Sequence, residues 1–224
     1  MAYRNLALVS ILFIGLSSLS MQAKKKKVVF FGDSITEAGV QPTGYITKLK
    51  DMLASSDKGN GYELVGAGVG GNKIYDLYLR IDDDVISKQP DIVVIWVGVN
   101  DVWHKRSSGT GTDADKFENF YKAVIRKLKD KNIKGYLCTP ATIGEKTDFT
   151  NELDGDLNKY AAMIRQIAKT SDCGVIDLRK SFLEYNLKNN SANAESGILT
   201  SDGVHLNEKG NIFVAEKMQE ELFK

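Results

Sequence analysis

The sequence predicts an α/β fold, a three-layer α/β/α sandwich around a five-stranded parallel sheet. Short apolar runs recur along the chain, and segments with helical periodicity separate them. Strands that alternate with helices form parallel sheets, because each crossover helix returns the chain to the same end of the sheet. The 3 prolines among 224 residues leave no material for a Pro-rich linker, so we expect one domain.

Five apolar runs are predicted to be the strands. The first run, at residues 28–31, lies between Lys27 and Gly32, as expected of a buried strand. The other runs lie at residues 62–65, 92–97, 135–138 and 175–178. Four helices are predicted from apolar residues that recur every three or four positions. The apolar residues of each helix form a stripe along one face, and we expect these stripes to pack in the core. The stripes begin at Tyr45, Phe117, Leu157 and Ile212.

Residues 1–23 are predicted to be a secretory signal peptide, and residues 24–224 the folded domain. Arg4 precedes an apolar stretch at residues 6–19, and small residues follow that stretch. The stretch is shorter than the roughly 20 residues that a membrane-spanning helix needs, which disfavours an uncleaved anchor. We therefore expect an exported protein, periplasmic or extracellular, without a stable membrane anchor.

The charge balance argues against a nucleic-acid partner. The chain contains 30 Lys and Arg against 29 Asp and Glu, and Arg4 is the one charged residue of residues 1–23. The rest of the chain is therefore formally neutral, whereas nucleic-acid binders carry a basic excess. With 2 histidines and 2 cysteines, a His-rich or Cys-rich metal site is not expected, and no other cofactor is expected either. The composition leaves the oligomeric state open.

Polar groups follow the predicted strands at the positions where open α/β sheets bind their ligands. Ser34 follows the first strand, a glycine-rich segment at residues 66–72 follows the second, and Asn100 follows the third. Asp202 and His205 precede the last predicted helix. Because the carboxyl ends of parallel strands meet at one edge of the sheet, we expect these groups to converge.

These four segments resemble the sequence blocks of SGNH (GDSL) hydrolases, in the order of that family and over nearly the whole chain after residue 23. The resemblance implies a flavodoxin-like sheet of the SGNH hydrolase type. It also implies that Ser34 is the nucleophile, that Gly71 and Asn100 belong to the second and third blocks, and that Asp202 and His205 form the last block.

Two positions depart from the family pattern. Gly66 stands where the family commonly has asparagine, and Lys73 stands where it often has threonine or serine. Neither position supplies a catalytic group. The departures therefore bear on loop conformation and substrate preference and leave the expected chemistry intact.

The same residues suit acyl transfer on chemical grounds. A serine hydroxyl needs a base within hydrogen-bond reach, and His205 suits that role because imidazole titrates near neutral pH. The three-residue spacing predicts that Asp202 and His205 share one side of a helical turn, where the carboxylate would fix the tautomer of the ring. The backbone amides of Ser34 and Gly71 and the side-chain amide of Asn100 are the candidate donors to an oxyanion.

Each of these segments also has a plainer structural interpretation. Ser34 or Asp202 could cap a helix, and Asn100 could lie in a turn. The glycines of residues 66–71 also fit a dinucleotide-binding loop, for which Asp91 would be the acidic residue about twenty positions on. Asp91 precedes a predicted strand instead of following one, so we reject the dinucleotide interpretation. The convergence of the groups on one edge favours catalysis.

The predicted loops at this edge, residues 103–112 and 142–148, are mostly polar. Asp33, Trp103 and His104 are expected to contact the substrate. A lipase would present a continuous apolar groove. We therefore expect a serine esterase that removes short acyl groups, acetyl above all, from carbohydrate through a Ser-His-Asp triad and an acyl-enzyme. Its substrate would be a small-molecule or oligosaccharide ester. The alternatives are a lysophospholipase or thioesterase of the same family and, from another class, a catalytically silent carbohydrate-binding domain.

Overall fold

The computed structural model describes residues 24–57, 59 and 61–224. The expected signal peptide, residues 1–23, lies outside the described residues. Within the described part of the chain, no helix is both long enough and apolar enough to cross a membrane.

A five-stranded parallel sheet forms the centre of the domain, as predicted. Its strands, in chain order, are β1 (Lys26–Gly32), β2 (Tyr62–Gly68), β3 (Ile92–Trp96), β4 (Lys134–Cys138) and β5 (Gly174–Ile176). The spatial order is β2-β1-β3-β4-β5, and every neighbouring pair is parallel. The order reverses direction at β1 and β3, and this flavodoxin-like switch point is where such sheets bind ligands.

Eight α-helices connect and cover the strands in the described residues. They are α1 (Ser34–Ala38), α2 (Tyr45–Ala54), α3 (Ile74–Asp84), α4 (Val99–Ser107), α5 (Ala114–Lys129), α6 (Asp154–Ser171), α7 (Leu178–Asn189) and α8 (Glu208–Leu222). A short 3₁₀ helix, Ile86–Lys88, follows α3.

Alternate residues of β1 supply the two faces of the core. Val28 and Phe30 pack with α2, α7 and α8 on one face, while Val29 and Phe31 pack with α3, α5 and α6 on the other. Successive side chains of a strand point to opposite faces, so an unbroken apolar run requires helices on both sides. The predicted three-layer sandwich is therefore confirmed.

The structure differs from the sequence prediction at the end of the sheet. Residues 175–178 are predicted to be a strand, but β5 ends at Ile176 and Leu178 begins α7. The carboxylate of Asp177 accepts a hydrogen bond from the backbone amide of Lys180 and so caps this helix. The four predicted helices are α2, α5, α6 and α8, and α1, α3, α4 and α7 were not predicted. In α4 and α7, polar residues such as Asn100 and Arg179 occupy part of the buried face.

Candidate active site

Ser34 lies at the carboxyl end of β1 and begins helix α1. The N-cap of α1 is Asp33, whose Oδ1 accepts a hydrogen bond of 3.0 Å from the amide of Ile35. The alternative in which Ser34 caps the helix is therefore wrong, because Asp33 already does so. The Ser34 hydroxyl is left free for another partner.

The partner of the Ser34 hydroxyl is His205, which belongs to the last of the four sequence blocks. Ser34 Oγ lies 3.0 Å from His205 Nε2, although 171 residues separate them along the chain. On the other side of the ring, His205 Nδ1 lies 2.7 Å from Asp202 Oδ2. A hydroxyl, an imidazole and a carboxylate in hydrogen-bonded series form the geometry in which a base can activate a serine and an acid can orient that base.

Asp202 and His205 meet through a local turn, not through a helix. Asp202 Oδ1 accepts hydrogen bonds from the backbone amides of Val204 (2.9 Å) and His205 (2.7 Å), which is an Asx-type turn. The predicted helical turn is therefore wrong. Helix α8 begins later, and its cap is Asn207, whose Oδ1 accepts from the amide of Gly210 at 2.9 Å. The alternative in which Asp202 caps the last helix is wrong as well.

These contacts also set the charge of Asp202. Partial burial acts to raise the pKa of its carboxyl, but the hydrogen bonds from the His205 ring and from the amides of His205 and Val204 lower the pKa below its ordinary value. The carboxylate is therefore ionised at neutral pH, as an acid that stabilises an imidazolium must be.

The glycine-rich segment at residues 66–72 was predicted to follow the second strand, but its first three residues belong to β2, where Gly68 pairs with Gly32 of β1. The end of β2 and the loop after it pack directly on the residues around Ser34. The amide of Val69 donates to the carbonyl of Gly32 at 3.2 Å. Gly68 approaches α1 so closely that a Cβ there would lie 2.0 Å from the backbone nitrogen of Glu37. Gly71 has a φ of +74°, a left-handed conformation that glycine adopts without strain. The backbone conformation, more than lack of space, explains the glycine at position 71.

Asn100 lies in the first turn of α4, so the alternative that places it in a plain turn is wrong. Its side chain is 4% exposed, and Nδ2 donates to the carbonyl of Asn72 at 3.2 Å. Asp101 Oδ1 accepts from the amide of Ile74 at 3.1 Å. These two bonds join the third block to the second. A carboxamide has two N–H groups, so Asn100 keeps one for another acceptor.

Two carboxyl groups are buried beneath this edge of the sheet. Asp33 is 2% exposed and Asp101 is fully buried. Burial raises the pKa of Asp33 to about 7, with a further contribution from the nearby Asp101. Burial likewise raises the pKa of Asp101 to about 6. The carboxyl of Asp33 is engaged within the protein, since its Oδ1 caps α1, and this role argues against the substrate contact expected of Asp33.

Trp103 and His104 lie one turn further along α4, and both are half-buried. Their ring centroids are 5.8 Å apart. His104 Cε1 lies 4.0 Å from the position that a Cβ on Gly71 would occupy, so this ring borders the glycine-rich loop. Partial burial and the charge of Lys73 lower the pKa of His104. His104 is therefore neutral at neutral pH and stands at the rim of the site.

Arg80, on α3, is a contact residue that the sequence did not reveal. Its guanidinium donates to Asn72 Oδ1 (2.6 Å), to the carbonyl of Gly32 (2.8 Å) and to the carbonyl of Ala67 (3.1 Å). One side chain thus joins the ends of β1 and β2 to the loop that Asn100 contacts. Nothing in the sequence distinguishes this arginine from a solvated one on an amphipathic helix.

Glu145 fixes the backbone on the Asp202 side of the site, as Arg80 fixes the backbone on the Ser34 side. It belongs to the loop at 142–148, predicted to be a polar rim, but it is 1% exposed. Its Oε1 accepts from the amides of Leu199 (2.7 Å) and Thr200 (3.1 Å), and its Oε2 accepts from the amide of Ile198 (2.8 Å). A buried carboxylate thereby fixes the segment that leads into Asp202.

The described residues contain no group of three or more His, Cys, Asp or Glu side chains arranged to hold a metal ion. Asp91, considered above for dinucleotide binding, precedes β3 and accepts a hydrogen bond of 2.7 Å from the amide of Lys27 at the opposite end of the sheet. It lies far from the glycine-rich loop.

The chain is similar to known ester hydrolases over most of its length. A solved acetyl xylan esterase, AlAXEase, is 64% identical and superposes with a TM-score of 0.85, over 87% of this chain and 98% of that chain. The acetylxylan esterase of Geobacillus stearothermophilus is 30% identical over 175 residues, 71% of this chain and 78% of that protein. An uncharacterized lipoprotein of Bacillus subtilis is 25% identical over 214 residues, 86% of this chain and 88% of that protein.

The sequence profile of the GDSL-like lipase/acylhydrolase family matches residues 30–211, which include all four blocks. This match covers far more than half of the chain, and the resemblance to SGNH (GDSL) hydrolases is confirmed. The protein belongs to the GDSL-like lipase/acylhydrolase family and is a hydrolase of carboxylic esters.

Proposed function

We propose that this protein is an esterase that removes acetyl groups from carbohydrate, with acetylated xylan or its oligosaccharides as the substrate, and that Ser34 is its nucleophile. The observation that carries the proposal is the hydrogen-bonded series Ser34–His205–Asp202 at the carboxyl edge of the sheet. The 64% identity to an acetyl xylan esterase over nearly the whole of that chain supports the choice of substrate.

The mechanism follows from the order of the three side chains. Ser34 Oγ attacks the acetyl carbonyl carbon while its proton passes to His205 Nε2. Asp202 accepts a hydrogen bond from Nδ1–H and stabilises the imidazolium. The imidazolium then gives its proton to the sugar oxygen as the ester bond breaks, which leaves an acetyl group on Ser34. Water, deprotonated by His205, attacks this acyl-enzyme and releases acetate and the free serine.

The tetrahedral intermediates place a negative charge on the former carbonyl oxygen. We assign its donors to the backbone amides of Ser34 and Gly71 and to the second N–H of Asn100. All three belong to segments that hydrogen bonds hold together: Val69 to Gly32, and Asn100 to Asn72. Donors that are fixed in advance stabilise the developing charge without reorganisation during the reaction.

The surroundings of the site suit a hydrated substrate better than an acyl tail. The cleft beside Asp202 is lined mostly by polar and charged side chains, including Arg106, Lys146 and Asn151. Trp103 and His104 are the side chains that we assign to sugar contacts. This chemistry disfavours the lysophospholipase alternative, and the intact Ser–His–Asp series disfavours a silent binding domain.

Export remains part of the proposal. We propose that residues 1–23 are removed as a signal peptide and that residues 24–224 act as the mature enzyme in the periplasm or outside the cell. The short basic and apolar start of the chain supports this, as does the similarity to a protein described as a lipoprotein.

The test is a comparison of esters. Acetate release from acetylated xylo-oligosaccharides, turnover of p-nitrophenyl acetate and turnover of p-nitrophenyl palmitate are measured for the wild type and for Ser34→Ala. We expect both acetyl esters to be cleaved, the palmitate to be cleaved far more slowly, and Ser34→Ala to be inactive on all three. Ser87→Ala, at a serine remote from the site, serves as the matched control. Faster cleavage of the palmitate than of the acetyl esters would overturn the proposal.

A further inference from the structure

The carboxylate that orients His205 is unusually open to solvent. The side chain of Asp202 is 50% exposed, and that of His205 is 40% exposed. In the well-known serine hydrolase triads the acid is buried, and the low dielectric around it strengthens its attraction to the imidazolium. Here water competes for the same carboxylate. In this state the Asp202–His205 pair stabilises the imidazolium less than a covered pair would.

Asp202 forms part of the wall of a cleft of about 530 Å³. Ser34 and Asp202 contact opposite sides of the His205 ring, so the Asp202 wall of the cleft lies on the side of the ring away from the nucleophile. Helix α4 connects the two places: Asn100 lies on its first turn at the site, and Trp103 and Arg106 lie further along it and line the cleft. The same helix therefore borders both the nucleophile and the cleft.

The walls of the cleft combine one flat aromatic side chain with charged groups. Trp103 supplies the aromatic face. Among the other lining residues, Arg106 pairs with Glu152, and Lys146 pairs with Glu195 at 3.8 Å. A pyranose presents C–H groups on its faces and hydroxyls around its edge, so it can pack on an indole and bond to charged side chains simultaneously. The volume lies within the range of small-molecule sites and suits a short stretch of about two sugar units.

We propose that this cleft binds the sugar units next to the acetylated one, and that these units cover Asp202 and thereby complete the catalytic series. The proposal rests on the function proposed above and adds to it a preference for oligosaccharide over monosaccharide esters. Covering the carboxylate removes competing water and strengthens its bond to the imidazolium that forms in the transition state. Substrate length therefore raises kcat, in addition to any effect on KM, because the gain appears only as the imidazolium develops.

The test compares acetylated xylose with acetylated xylotetraose, each measured for kcat and KM. For the wild type we expect kcat to be about tenfold higher with the tetrasaccharide, the rate equivalent of one strengthened hydrogen bond to a charged group. In Trp103→Ala and in Arg106→Ala the ratio of the two kcat values should fall towards one. Trp103→Phe should restore most of the ratio, because a flat ring is still present. Lys122→Ala, which removes an exposed lysine paired with Glu118 on α5, should leave the ratio unchanged.

Direct binding gives a second measurement that does not depend on turnover. Xylotetraose without acetyl groups is titrated into Ser34→Ala, and the fluorescence of Trp103 is followed; the other tryptophan, Trp96, is buried. We expect saturable quenching, absent in Ser34→Ala/Trp103→Ala.

The outcomes separate the two proposals. Equal kcat values for the mono- and tetrasaccharide esters, or a difference confined to KM, would overturn the proposal that bound sugar units cover Asp202. Either result would leave the deacetylase function intact. Cleavage of p-nitrophenyl acetate without cleavage of either sugar ester would overturn the proposed function itself.

Discussion

The two halves of the candidate site are built in different ways. Ser34 follows a buried strand, and the residue before it, Asp33, is 2% exposed. Asp202 and His205 lie in the segment between α7 and α8, outside helices and named strands, and their side chains are 50% and 40% exposed. The nucleophile half is therefore part of the sheet, whereas the base half is part of a surface segment.

What holds each half differs accordingly. The register of parallel strands places Ser34 beside the loop after β2, and the guanidinium of Arg80 adds three further bonds there. The base half relies on side chains that bond to the backbone: Glu145 holds residues 198–200, and Asp202 holds its own turn. Many backbone hydrogen bonds hold the register of the sheet, whereas a few side chains hold the base half. Single substitutions should therefore disturb the base half more readily than the nucleophile half.

The largest effect is expected where the two halves meet. His205→Ala and Ser34→Ala should each lower kcat for p-nitrophenyl acetate by roughly 10⁴-fold to 10⁶-fold, and the double variant should be no slower than either one, because the residues act as a unit. Circular dichroism should show that both variants remain folded. Additive losses in the double variant would mean that the two side chains act independently.

The next effect concerns the buried carboxyl of Asp33 and the stability of the nucleophile half. Its pKa is raised to about 7 in the folded protein by burial, whereas in the unfolded chain it keeps its ordinary value of 3.8. Between these two values the folded state holds a proton that the unfolded state has lost. The free energy of unfolding therefore falls as the pH rises through this window, by about 4 kcal/mol in total.

Asp33→Asn should remove this loss of stability at high pH. The variant should keep the hydrogen bond from the amide of Ile35 that caps α1, since asparagine caps helices as well as aspartate does. Urea unfolding at pH 4 and at pH 8 should show a stability gain for the variant that is small at pH 4 and reaches its full size above pH 7. Asp101 and His205 are the titratable side chains whose charge affects the pKa of Asp33, and both remain in the variant. A gain that is the same at both pH values would mean that Asp33 is not protonated in the folded protein.

Asp202 should show the opposite behaviour in the base half. Its folded pKa is lowered, so it contributes stability above its unfolded pKa, and that contribution is lost as the pH falls through the folded value. The pKa values of Asp33 and Asp202 are thus shifted in opposite directions, because Asp33 is buried whereas hydrogen bonds stabilise the charged form of Asp202.

The third effect concerns the oxyanion donors. Asn100→Ala should lower kcat by about 10²-fold to 10³-fold with little change in KM, as the loss of one preorganised donor does elsewhere. The carbonyl of Asn72 also loses a donor in this variant. Asn100→Asp keeps the size of the side chain and should be equally slow, because it replaces the donor by an acceptor. A rise in KM at constant kcat would make Asn100 a ground-state binding residue instead.

The sequence was sufficient to predict the five strands, the two covered faces and the gathering of Ser34, Asn100 and His205 at one edge. Apolar runs and their spacing carry that information, since burial on both faces leaves a direct pattern in the chain. It was not sufficient for Arg80, Glu145 or the turn at Asp202. Their partners lie between 2 and 55 residues away and are mostly backbone groups, which leave no residue pattern to recognise.

The smallest effect is expected at Glu145 and sharpens the contrast between the halves. The carboxylate of Glu145 accepts hydrogen bonds from three backbone amides, through both of its oxygens. Glu145→Gln leaves one acceptor oxygen, so the amide of Ile198, which donates to Oε2, loses its partner. We expect a loss of about 1–3 kcal/mol in the free energy of unfolding. We also expect a lower kcat at unchanged KM, because the segment that carries Asp202 is less well fixed. Glu184→Gln, on the exposed face of α7, is the matched control.

A purely structural role for Glu145 would lower stability alone. The low-field proton resonance of the His205 Nδ1–H bond to Asp202 distinguishes the two cases, and we expect it to broaden or disappear in Glu145→Gln. An unchanged resonance and an unchanged kcat in a destabilised variant would restrict Glu145 to a structural role.

The central claim is that His205 activates Ser34 as the nucleophile. Its most direct test is the labelling of the protein with a serine-directed organophosphate, followed by intact-mass and peptide mass spectrometry. We predict a single adduct on the peptide that contains Ser34, no adduct in Ser34→Ala, and strongly slowed labelling in His205→Ala. An adduct on another serine, or labelling of His205→Ala at the wild-type rate, would contradict the claim.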